Sequence, residues 1–71
     1  MQNLKRSLSY RLFLRNHAGN IESVLDFECD GDETGKERAR SMTGSAMTEL
    51  WQAARLVARF KGDGSEMPLH G

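Results

Sequence analysis

The acidic residues between positions 22 and 33 form the densest group of side chains that could bind a cation. The group ends in Asp30-Gly31-Asp32 and Glu33, and it contains no basic residue. An EF-hand loop would need acids at its first, third and fifth positions, a glycine at its sixth and a glutamate at its twelfth. Most of these requirements are not met, so the run is interpreted as a solvated strand end that leads into a helix. No metal site is predicted.

Two histidines and one cysteine are the remaining candidates for metal or nucleophile chemistry. His17 and His70 are far apart in the sequence, so a zinc site that included Cys29 would need a further ligand. No serine lies in a strand-to-helix elbow of the kind that activates a nucleophile. The sequence therefore predicts a protein that is not an enzyme and has no cofactor. A single cysteine also excludes an internal disulfide, and a buried thiol is the favoured interpretation of Cys29.

Basic side chains on a predicted helix could contact phosphates, and they are Lys36, Arg38 and Arg40. Aromatic residues such as Trp51 could stack on bases if the sheet exposes them. The chain has ten basic and ten acidic residues, so its zero net charge gives no long-range attraction to a polyanion. Nucleic-acid binding is therefore the alternative function and not the favoured one.

The length of 71 residues allows a single domain. The sequence indicates an N-terminal extension over 1–8, a folded unit over 9–61 and a flexible glycine-rich tail over 62–71. No apolar run approaches the roughly 18 residues that a membrane span requires. The start of the chain also lacks the apolar block of a signal peptide, so we expect a cytoplasmic protein without membrane contact.

Two segments of alternating polarity, Tyr10–Arg15 and Ile21–Cys29, flank a turn at His17-Ala18-Gly19-Asn20. Alternation with a period of two is typical of half-buried strands, and the turn between them predicts a β-hairpin. One antiparallel register keeps the apolar residues together and opposes charges of unlike sign. That register pairs Leu12 with Leu25, Tyr10 with Phe27, Phe13 with Val24, Arg11 with Asp26 and Arg15 with Glu22.

A short helix is expected after this hairpin, with Asp30 or Asp32 as its N-cap. Its inward stripe would be Gly35, Ala39 and Met42, which is narrow enough to lie close to a sheet. Gly44 would end it.

The segment 46–60 has two interpretations. Local spacing and the flanking Ser45 and Gly62 favour a helix. The competing hairpin turns at Ala53-Ala54, where two alanines disfavour the positive φ of tight turns. That hairpin opposes Trp51 to Leu56, Met47 to Phe60 and Leu50 to Val57.

The strings YRLFLRNHAGNI, DFECDGDE and TELWQAARLVARF together resemble a family of small uncharacterised bacterial proteins, a domain of unknown function. The resemblance covers roughly 9–60 and implies a hairpin after the tryptophan. It therefore implies an α+β fold of order ββαββ, with a four-stranded antiparallel sheet and one helix packed on one face. The matching residues are Tyr10, Arg11, Phe13, Gly19, Phe27, Glu28, Asp30, Ala39, Glu49, Leu50, Trp51, Arg55, Val57 and Phe60.

One helix can cover only one face of such a sheet, and apolar residues occur on both. The face left uncovered is expected to carry Phe13, Val24, Leu50 and Val57. An exposed apolar patch of this kind marks an interaction surface. We therefore expect a small protein-interaction module that binds a second copy of itself, as a homodimer, or an unidentified protein.

Overall fold

The computed structural model describes residues 7–42 and 44–69. Within them the chain forms one helix and a single five-stranded sheet, so the α+β class is confirmed and one strand is added to the four predicted. Every pair of neighbouring strands is antiparallel, in the order β2-β1-β3-β4-β5. The elements are β1 (Leu8–Arg15), β2 (Ile21–Cys29), α1 (Asp32–Ser41), β3 (Met47–Gln52), β4 (Arg55–Lys61) and β5 (Glu66–Met67).

The first hairpin has the register that the alternating pattern predicts from Tyr10 opposite Phe27 to Phe13 opposite Val24. The predicted pairing of Arg15 with Glu22 is wrong, because a bulge next to Arg15 places it opposite Ile21. The turn explains the irregularity. The side-chain oxygen of Asn16 accepts hydrogen bonds from the backbone N–H groups of Ala18 and Asn20, at 2.9 and 3.0 Å. Such local bonds compete with the regular ladder of a hairpin.

The second hairpin confirms the interpretation that the family resemblance supports and not the helix that local spacing favours. Trp51 lies opposite Leu56, as predicted. A bulge beside that pair then shifts the register, so Leu50 faces Ala58 and not Val57, and Met47 faces Lys61 and not Phe60. The two-residue turn is possible because Ala53 adopts a φ of 56°, the only positive φ of a non-glycine residue among those described.

The helix packs its small residues against the sheet. Gly35 and Ala39 are buried and Met42 packs on the core, as the predicted stripe requires. A Cβ on Gly35 would lie 3.2 Å from Leu50 Cδ2, so a larger residue at this position would require Leu50 to shift, and glycine favours the close approach of the helix to the sheet. The N-cap is Gly31, without a side-chain cap hydrogen bond, which makes the prediction of Asp30 or Asp32 wrong. Asp32 lies instead in the first turn and binds Tyr10 and Arg55.

The added strand β5 lies within 62–71, the segment that the sequence predicts to be a flexible tail. A turn after β4 returns the chain, with Lys61 N–H donating to Ser65 O at 2.8 Å. Asp63 closes the turn by accepting hydrogen bonds from the backbone and hydroxyl of Ser65. Glu66 then pairs with Lys36 of α1 at 3.3 Å, which holds the end of the sheet against the helix.

Candidate interaction surface

The sheet has one face covered by α1 and one face, here called the outer face, that no element covers within residues 7–42 and 44–69. Residues directly opposite each other on neighbouring antiparallel strands share a face, so the registers assign its members. The outer face comprises Arg11, Phe13, Val24, Asp26, Glu49, Trp51, Leu56 and Arg59. Four of these residues are apolar and four are charged, so the face is mixed and not purely apolar.

Two of the four residues predicted for this face lie on it and two do not. Phe13 is half-buried and Val24 is exposed, and they oppose each other as expected. Leu50 is fully buried because it lies opposite Leu12, on the face that α1 covers. Val57 is also buried, within the same core cluster. The prediction that Leu50 and Val57 are available to a partner is therefore wrong.

Charged residues on and beside the outer face pair with one another across four strands, β2, β1, β3 and β4. Glu49 accepts from Arg15 at 3.3 Å and lies 3.7 Å from Arg59 Nε, with only 12% of its side chain exposed. Arg11 and Asp26 form a two-point contact at 2.7 and 3.1 Å. The hydrogen bonds from Arg11 hold the pKa of Asp26 below its ordinary value. These pairs balance the charges at the centre of the face, although the buried Nε of Arg59 has no hydrogen-bond partner among the described residues.

A shallow groove of about 540 Å3 crosses one end of the outer face. The residues that line it include Phe13, Trp51, the Arg11–Asp26 pair and Glu28. The indole Nε1 of Trp51 is buried and has no hydrogen-bond partner among the described residues. Aromatic surface beside an ion pair suits contact with another molecule's side chains better than it suits acid–base chemistry.

The most exposed apolar surface lies on β2, at the edge of the sheet. Ile21 and Val24 are each 46% exposed and Leu25 is 38% exposed, whereas Leu69 is the only other large apolar residue exposed to this degree in the described chain. These side chains on β2 are exposed because α1 is much shorter than β2. A ten-residue helix spans about 15 Å, but a nine-residue strand spans about 30 Å. α1 therefore cannot cover the whole of β2.

Sequence reasoning predicted only Val24 of this strand to be available to a partner, because it assigned Ile21 and Leu25 to the covered face. Leu25 does lie on the same face as Leu12, its partner across the hairpin. β2 lies outermost in the sheet, beyond β1, whereas the helix packs mainly on β3 and β4 and reaches β2 only near Phe27 and Cys29. The short interval between Gly31 and Gly44 limits the length of the helix. This interval was the sequence signal that could have indicated that the helix would leave part of β2 exposed.

The three basic helix residues predicted for nucleic-acid contact are each engaged within the chain. Lys36 binds Glu66, and Arg40 reaches the same carboxylate at 4.0 Å. The guanidinium of Arg38 lies 5.0 Å from the centre of the Phe27 ring, and that of Arg40 lies 5.4 Å from the Phe60 ring. They therefore serve the packing of α1 on the sheet.

A cluster of one buried residue, Tyr10, and two partly exposed residues, Asp32 and Arg55, joins the sheet to the start of α1. Tyr10 donates a 2.6 Å hydrogen bond to Asp32, which also accepts two 3.1 Å bonds from Arg55. Arg55, and then Tyr10, lower the pKa of Asp32. Burial, followed by the bond to Asp32, raises the pKa of Tyr10 to about 12. The cluster is satisfied, so its role is to fix the helix on the sheet.

The described residues contain no group of three or more histidine, cysteine or acidic side chains that could hold a metal. Cys29 is buried and contacts Gly31 O at 3.4 Å, whereas His17 is exposed in the first turn. His70 lies outside the described residues. Within the same part of the chain, no helix is long and apolar enough to cross a bilayer.

The sequence matches no protein-family model, and it has no match among curated proteins or solved structures. The resemblance to small bacterial proteins therefore stays a prediction.

Proposed function

We propose that this chain is a small protein-interaction module and that β2 is its binding strand. The supporting observation is that Ile21, Val24 and Leu25 supply three of the four large apolar side chains that are strongly exposed in the described residues. Single exposed apolar residues are ordinary on protein surfaces, but their concentration on one element is typical of an interaction site.

The architecture supports the same function. A chain of 71 residues buries only about 60% of the surface of its unfolded form. Contact with a partner that binds the folded state alone stabilises that state by mass action. The outer face next to β2 extends the contact area through Phe13 and the groove beside it. A partner lying on β2 would therefore cover apolar surface that the single helix leaves exposed.

The experiment places a photo-crosslinking amino acid at position 24 and, as a matched control, at position 37. Val24 and Glu37 are both exposed, but Glu37 lies on the helix away from β2. Irradiation in cells that produce the protein should give a discrete crosslinked protein from position 24 and none from position 37. Equal products from the two positions, or none from position 24, would reject the proposal.

A further inference from the structure

We infer that β2 binds an extended, basic segment of another protein, which joins the sheet as an added strand. This inference rests on the proposed function and specifies its partner. Strand addition to an exposed sheet edge is a common mode of peptide recognition, in which main-chain hydrogen bonds give affinity and alternate side chains give specificity.

The backbone of β2 is available for such pairing. Among residues 7–42 and 44–69 the strand has a neighbour, β1, on one side only, so alternate N–H and C=O groups along its nine residues point away from that sheet. Natural edges are often protected by proline or by lysine. The segment Ile21–Cys29 contains neither, and its bulge lies at the turn end, beside Arg15.

The charges of β2 indicate the charge that a binding segment should carry. Glu22, Asp26 and Glu28 lie on the strand, and no basic residue does. Asp26 binds Arg11 on the paired side but keeps 63% of its side chain exposed, and Glu22 and Glu28 form no ion pair with any described residue. A basic strand would supply the missing charge, since opposite charges on neighbouring strands attract and like charges repel.

The same charges disfavour a second copy of β2 as the occupant. Two copies paired antiparallel about a two-fold axis overlap over about three quarters of the strand or more only in the registers centred on Val24, Leu25 or Asp26. These registers oppose Glu22 to Asp26, Glu22 to Glu28 and Asp26 to Asp26, respectively. Each of these registers therefore places carboxylates directly against carboxylates, which is destabilising.

The chain itself shows the pattern that complements β2. On the paired side, Tyr10-Arg11-Leu12-Phe13 of β1 runs opposite Phe27, Asp26, Leu25 and Val24. This order is apolar, basic, apolar, apolar. A segment that binds antiparallel along the free side of β2 would have the same order of apolar and basic residues as β1. One more basic residue before the first apolar one would face Glu28. The expected motif is therefore basic, apolar, basic, apolar, apolar.

The test titrates isotope-labelled full-length protein with a seven-residue peptide, Thr-Lys-Val-Lys-Val-Val-Thr, up to millimolar concentration. We expect amide chemical shifts to change along 21–29, and alternate amides of β2 to become protected from hydrogen exchange. The control peptide has glutamate in place of both lysines and should bind at least tenfold more weakly. Glu28→Gln should weaken binding of the lysine peptide by about 2- to 5-fold, because one cross-strand charge pair is lost.

Each other outcome overturns the inference. These outcomes are equal binding of the two peptides, shifts that map to the groove or to β5, and no shift at millimolar peptide. Shifts along β2 that grow with protein concentration alone would assign the strand to a second copy. Crosslinking from position 24 separates the two proposals: a crosslinked partner without lysine-peptide binding would keep the interaction function and reject the basic strand.

Discussion

The hydroxyl of Tyr10 donates its hydrogen bond to Asp32 across 22 positions of sequence, at 2.6 Å, and so ties the middle of the sheet to the first turn of α1. Tyr10 is 2% exposed, and Arg55 of β4 binds the same carboxylate. Three elements therefore meet at one side chain. Because the cluster couples a tyrosine, an aspartate and an arginine, it makes the stability of the fold sensitive to both high and low pH.

Stability should fall at alkaline pH through Tyr10. A phenol whose folded pKa of about 12 exceeds its unfolded value of about 10 contributes stability that is complete below pH 10 and is lost as the pH rises toward 12. Tyr10 is the only tyrosine, so near-ultraviolet absorbance of tyrosinate reports on it alone. The midpoint should lie near 12 in the folded protein and near 10 in urea.

Tyr10→Phe tests the same bond by removing it. The variant should lose about 1–2 kcal/mol of unfolding free energy at neutral pH, because Asp32 loses a donor. It should also lose less stability than the native protein between pH 9 and pH 11, as measured by urea unfolding. If the unfolding free energies of the two proteins fell equally between pH 9 and pH 11, the hydroxyl of Tyr10 would not be the cause of the alkaline loss of stability.

Acid should destabilise the fold through Asp32. Hydrogen bonds from Arg55 and Tyr10 lower its folded pKa, so its contribution is present above the unfolded pKa of about 4 and is lost as the pH falls through the folded value. Asp32→Asn should therefore be less stable at pH 7 and should lose less stability between pH 5 and pH 2. Glu33→Gln, at an exposed neighbouring position, is the control and should follow the native profile.

Gly35 is expected to tolerate no large side chain. A Cβ added to Gly35 would lie 3.2 Å from Cδ2 of Leu50. Leu50 is fully buried and has little freedom to move. Gly35→Leu should destabilise the protein by about 1–3 kcal/mol, because overpacking outweighs the gain in helix propensity. Glu37→Leu introduces the same side chain on the exposed side of α1, and its unfolding free energy should stay within about 0.5 kcal/mol of the native value.

Ala53 should be improved by glycine. Its φ of 56° costs an L-residue about 1–2 kcal/mol, part of which glycine recovers despite its greater freedom in the unfolded chain. Ala53→Gly should therefore stabilise the fold by about 0.5–1 kcal/mol in thermal or urea unfolding. Ala54→Gly is the matched control, since Ala54 has no positive φ, and it should give no gain. Equal effects at the two positions would contradict the turn geometry.

The first hairpin could be predicted, except for the pairing of Arg15 beside the turn, because its other residues support one register. Leu12 and Tyr10 find apolar partners, while Arg11 finds Asp26, and a slip by one residue would break all of these pairs together. The second hairpin could not be predicted from local chemistry, because Ala53 contradicts the usual turn residues. Here tertiary pairing with β1 overrides the local preference for a helix.

The candidate site was predicted only in part, because face assignments depend on pairings that a strand's own sequence does not contain. Leu50 and Val57 look equivalent to Phe13 in an alternating pattern. The pairing of Leu12 with Leu50, and the bulge that displaces Val57, decide that both are buried. The exposure of Leu25 likewise follows from the position of β2 in the strand order, which periodicity alone does not reveal.

The two residues of β5 have a consequence for stoichiometry. They occupy the far side of β4 at Arg59 and Phe60, and Glu66 anchors them to α1. A sheet that could accept neighbours at both margins would join copies end to end without limit. In this sheet, β5 partly covers the margin at β4, and the margin at β2 disfavours a second copy of β2 because carboxylates would face carboxylates. We therefore expect finite one-to-one complexes and not fibres.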